Sequence, residues 1–170
     1  MNQFMEKTQF DQFHAYCQSQ NIDLDTVYLI VDSAKDISIF RTLDLTVEHK
    51  GGLFEEEFLA DLGDVSPYLL RYKYNIDFFK WFINEFIEKN CGVLLTSSAM
   101  EETLLHHCRG IFKATNEEGE ELFFRYYNHD TLSIYLPTCT EEEYKLFFGP
   151  IDSFIVINEN RYIMYTNKQI

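Results

Sequence analysis

The sequence predicts a mixed α/β fold of the α+β kind: two small lobes, a mixed sheet flanked by helices, and a C-terminal β segment. Three observations predict it. The apolar runs "TVYLIVDSA" (26–34) and "CGVLLTSS" (91–98) are rich in β-branched and aliphatic residues and read as buried strands. Between them, "IDFFKWFINEFIEK" (76–89) repeats Phe79, Phe82, Ile83 and Phe86 at helical spacing. The chain then closes on "DSFIVINENRYIMYT", two strands around Asn158-Glu159-Asn160. Strands alternating with helices and followed by a terminal run of strands make a mixed domain. Its 170 residues suit one domain, with an N-terminal lobe over about 1–90 and a C-terminal lobe over about 91–170.

Taken in order, residues 3–20 read as a helix with Phe4, Phe10, Phe13 and Cys17 on one side. The strand at 26–34 follows, then a short helix around 36–43. Gly51-Gly52 marks a bend, and "EEEFLADLGD" a helical turn. "VSPYLLRY" (65–72) is a second strand, in which Pro67 sits at an edge or at the start. After the helix at 76–89 and the strand at 91–98, Ser97 or Ser98 is expected to cap the helix "AMEETLLHHCRGIF". A hairpin turning at "NEEG" leads into the strand "EELFFRYY". Asn128 caps "HDTLSIYL", and Thr140 with Glu143 forms a capping box stopped by Gly149-Pro150.

A net charge of −14 weighs against nucleic acid and against an anionic membrane surface. No segment reaches the roughly 18 apolar residues of a membrane span, and the first residues carry no apolar signal-peptide core. Cys17, Cys91, Cys108 and Cys139 are scattered and form no CxxC, as expected of reduced thiols in a cytoplasmic protein without metal or cofactor.

Few residues suggest chemistry. His106-His107-Cys108 are helical neighbours pointing about 100° apart, so they do not converge. Asp32 ends a strand, where α/β ligands gather, but no phosphate-binding or nucleophile motif accompanies it. It is expected to cap the next helix or to pair with a buried arginine, for which Arg125 within "FFRYY" is the preferred partner. Asn128-His129-Asp130 resembles a catalytic trio but reads better as a helix start. Trp81 projects away from its helix's apolar stripe and marks an interface unless another lobe covers it.

The series "VYLIVDSA", "LFEEEFLADLGDVSPYLL", "GVLLTSS", "LLHHCRGIF", "FFRYYNHDTLSIYLP" and "FFGPIDSF" resembles the type VI secretion effector adaptor family, the Tap or TEC adaptor-chaperone domain, over residues 26–157. The matching positions are Asp32, Pro67, Tyr68, Arg109, Phe124, Arg125, Tyr127, Phe148, Gly149 and Pro150. Ser33 stands where the family has Gly, Ser66 where it has Ala, and Asn128-His129-Asp130 where Asp-Pro-Arg is common. The resemblance implies a non-catalytic cytoplasmic protein that binds the N-terminal part of a toxic effector and helps load it onto the VgrG spike. Contact is expected in a groove between the lobes, with Tyr68, Tyr127 and Trp81 as candidate contacts. The competing expectations are an immunity protein that neutralises a toxin, and a small hydrolase using Asp32 with His129 or Cys108.

Overall fold

The computed structural model describes residues 7–167. Phe4, expected on the first helix, lies outside them. The first helix, α1 (Gln9–Ser19), starts at Thr8 with a capping box to Asp11 and buries Phe10, Phe13 and Cys17. Strand β1 (Val27–Asp32) is buried along its whole length, which is why it reads as an unbroken apolar run. Next come α2 (Ile37–Thr46), the two-residue strand β2 (Gly51–Gly52), α3 (Glu56–Leu62) and β3 (Pro67–Arg71). Pro67 opens its strand, as expected, where no ladder donor is required.

Helix α4 (Ile76–Glu85) is shorter than the periodicity suggests; a 3-10 turn takes over at Ile87–Lys89, and left-handed Asn90 leads into β4 (Gly92–Thr96). Helix α5 spans Glu101–Phe112, and β5 (Lys113–Thr115) pairs with β6 (Glu121–Phe123) as a separate hairpin. Helices α6 (His129–Tyr135) and α7 (Glu141–Phe148) precede β7 (Ser153–Asn158) and β8 (Arg161–Thr166). The last two strands turn through Glu159 and Asn160, both at positive φ, the geometry that matches strand twist in a tight hairpin.

The main sheet has six strands in the order β2-β3-β1-β4-β7-β8. The sheet, expected as mixed, pairs antiparallel throughout. Alternation along the strands splits the interior in two. Val27, Leu29, Val31, Leu70, Leu94 and Ile155 meet the helices α1, α2 and α4 on one face. Tyr28, Ile30, Leu69, Val93, Leu95 and Phe154 meet α5, α6 and α7 on the other. Each such side chain contributes about 1.5–3 kcal/mol by leaving water. The halves divided near residue 90 therefore share one sheet and place their helices on opposite faces.

Two local expectations are corrected. Helix α5 has Met100 at its N-cap with no side-chain cap. Ser97 instead donates to the Pro150 carbonyl at 2.6 Å, and the Ser98 amide donates to the Asp152 carboxylate at 2.9 Å. These serines are held by a segment some fifty residues away, a pull that no short-range capping rule registers. The strand read as "EELFFRYY" ends at Phe123, so Arg125 does not lie in a strand.

Candidate functional site

The corner where β1 ends gathers most of the residues singled out by sequence. Asp32 is 2% exposed. Its amide donates to the Cys91 carbonyl at 2.7 Å, and its carboxylate accepts from the Ala34 amide at 3.1 Å. The other carboxylate oxygen lies 3.5 Å from Arg125 Nη1, the pairing expected from sequence. The guanidinium is not buried, however: the Arg125 side chain is 54% exposed. Burial pushes the Asp32 carboxyl above its ordinary range, and Arg125, the Ala34 amide and Lys35 pull it back.

Arg125 reaches Asp32 because the chain coils after β6. The Tyr126 amide bonds to the Phe124 carbonyl and the Asn128 amide to the Arg125 carbonyl. This coil turns Tyr126 and Tyr127 into the core while Arg125 emerges. Tyr126 donates to the Cys108 carbonyl at 3.0 Å. Asn128 then caps α6, accepting from the amides of Asp130 and Thr131, so the trio beginning at Asn128 is a helix start.

The remaining family-pattern residues hold elements together. Arg109 Nε donates to the Gly52 carbonyl at 2.9 Å, tying α5 to the sheet edge. The Pro67 carbonyl accepts from the Leu53 amide. Phe148 is fully buried, and Gly149 adopts a φ of +48° against the His107 ring. Ser33 and Ser66, both departures from the pattern, sit together: Ser33 Oγ donates to the Ser66 carbonyl.

The contact candidates fare differently. Tyr68 and Tyr127 are core residues, 6% and 2% exposed, so neither offers a face to a partner in this conformation. Trp81 is half-buried, with its ring centroid 5.5 Å from Phe78 and 5.1 Å from Phe86. What covers it is its own neighbourhood rather than another lobe, because α4 ends at Glu85 and the chain bends Phe86 toward it. No hydrogen bond or ion pair joins Asp32 to His129 or Cys108 among the described residues. The His129 amide donates to Asn90, and its ring faces Asp130. Nor do the described residues bring together three His, Cys, Asp or Glu side chains able to hold a metal.

Sequence reading missed an open aromatic feature of the surface. Helix α3 exposes Phe58 and Leu62, at 50% and 45%, facing the hairpin β5–β6, whose Phe123 is 62% exposed. Between them runs a groove of about 260 Å³ floored by Leu53, Phe54 and Phe112. Phe123 stacks on Phe112 at 4.8 Å and lies 5.5 Å from Phe54, so the exposed ring is held in place. Lys113 Nζ bonds Glu55 at 2.7 Å across the groove. That bond, with further pull from Glu121 and Glu57, raises the Lys113 ammonium above its ordinary value. On the other side of the hairpin, a hollow of about 380 Å³ is lined by Ile111, Phe124, Tyr135, Leu146 and Phe147. The first groove joins residues about sixty positions apart, α3 from one half and the hairpin from the other, and no local pattern announces it.

The chain is thus an α+β domain with the buried Asp32 corner inside and an aromatic groove outside. Residues 27–146 match the family model DUF4123, a domain of unknown function, and the chain belongs to that family. No curated protein and no solved structure matches it.

Proposed function

We propose that this chain is a cytoplasmic adaptor that binds the N-terminal region of a type VI secretion effector and helps load it onto the VgrG spike. The resemblance in the ordered motifs from "VYLIVDSA" to "FFGPIDSF" suggests this class. The single observation that carries the reading is the exposed aromatic groove between α3 and the hairpin β5–β6. Phe58 and Phe123 are kept in water at a cost that a bound partner recovers, and aromatic residues in such positions serve as anchors at interfaces. Among the described residues, the hydrogen bonds and ion pairs of Asp32 and His129 go to other partners, and a binding role requires no convergence.

This reading predicts a toxin gene beside the gene for this chain, and co-expression with that toxin tests it. An adaptor co-purifies with the toxin's N-terminal segment and leaves its toxic activity intact. Recovery of the two proteins apart refutes the adaptor. A complex that abolishes toxicity through the catalytic region of the toxin identifies an immunity protein instead.

A further inference from the structure

Resting on the adaptor reading, we infer that the groove between α3 and the hairpin β5–β6 is the docking site, and that its occupant is an apolar segment of the partner flanked by basic residues. The floor and walls are apolar: Leu53, Phe54, Phe58, Leu62, Phe112 and Phe123. The surroundings are acidic. Glu55 and Glu121 line the groove, Glu56 and Glu57 open α3 beside it, and the hairpin turn carries Glu117, Glu118 and Glu120. The cation in the lining, Lys113, is already bonded to Glu55. A ring of this sign attracts Lys or Arg on either side of an apolar stretch and repels an acidic one.

The same charge disfavours a second copy of this chain as occupant. Two copies meeting here would bring together glutamates of molecules that each carry a net −14. The hollow across the hairpin has weaker anchors, because Phe124 and Phe147 turn inward to pack on Tyr135 and on each other.

The test is binding of the N-terminal segment of the toxin that the adaptor reading predicts beside this chain's gene, fluorescently labelled, to the full chain and its variants. Phe58→Glu and Phe123→Glu each place a charge on a half-exposed position, so both variants are expected to fold, which thermal melts verify. Each is expected to weaken binding roughly tenfold or more, while Ile134→Glu, on an exposed position of α6, leaves it unchanged. Glu56→Lys with Glu121→Lys is expected to weaken binding and flatten its salt dependence, giving a readout that does not rely on the aromatics. If the wild-type chain binds and all groove variants bind equally well, the docking site lies elsewhere and the adaptor reading stands. If the wild-type chain does not bind, the adaptor reading falls and takes the groove assignment with it. A wild-type dimer that Phe123→Glu disperses would make a second copy the occupant and overturn the partner assignment.

Discussion

Arg125 Nη1 lies 3.5 Å from the buried carboxylate of Asp32, joining the end of the central strand β1 to the coil that follows β6. The coil carries Tyr126 and Tyr127 into the core, and the hairpin β5–β6 that precedes it forms one wall of the groove. One ion pair therefore links the middle of the sheet to the surface proposed to bind a partner.

Arg125→Leu removes the charge that opposes the burial of Asp32, so the carboxyl rises further. A carboxyl raised in the folded state holds its proton where the unfolded chain has lost it, and stability falls as pH climbs through that window. The variant is expected to be about 1–2 kcal/mol less stable near neutrality. This is below the roughly 3–5 kcal/mol of a fully buried pair, because the guanidinium is half in water. The deficit shrinks as pH falls toward the ordinary carboxylate range, where Asp32 is protonated. Urea unfolding at neutral and mildly acid pH checks this, and equal deficits at both would contradict the pairing.

Gly149 needs its glycine for two reasons that can be separated. At a φ of +48° a side chain is strained, and a Cβ there would collide with the His107 ring. Gly149→Ala is expected to cost about 2 kcal/mol or more. In a His107→Ala background the same substitution should cost less, since only the backbone term remains. Paired denaturation curves give the difference.

Asn128 is expected to act as a cap and nothing else. Asn128→Ala should cost about 1 kcal/mol, and Asn128→Asp far less, because either oxygen accepts the amides of Asp130 and Thr131. Partner affinity should not change with either, which a binding titration at a temperature well below the melt would show.

The thiols should divide by burial. Burial pushes Cys17 and Cys108 up to about 12, and Cys91 is raised as well. Cys139 is partly exposed. Alkylation of the folded chain at mildly alkaline pH, read by peptide mass spectrometry, should modify Cys139 first and spare Cys108 until denaturant is added. Early modification of Cys108 would mean that this core opens.

What the sequence made legible was local. Thr140 and Glu143 form the capping box their spacing announces, Asn128 caps α6, and the run ending at Asp32 is a strand buried on both faces. The Arg125–Asp32 pair was legible because a charge among rings must find a partner. The misreadings came from partners distant in sequence and from elements that stop earlier than their pattern suggests. Ser97 and Ser98 were drawn off by Pro150 and Asp152. Trp81 was covered because α4 stops one residue before Phe86. Tyr68 and Tyr127 were turned inward by the coil and by the Gly63 carbonyl that Tyr68 bonds. The groove was invisible because Phe58 and Phe123 become neighbours only through the tertiary fold.

Amide hydrogen exchange on the full chain, alone and with the predicted toxin's N-terminal segment, shows where the partner sits. Exchange is expected to slow along 53–62 and 121–124, with α4 around Trp81 unchanged. Protection centred on α4, or an exchange pattern unaltered by the toxin segment, would contradict the groove assignment.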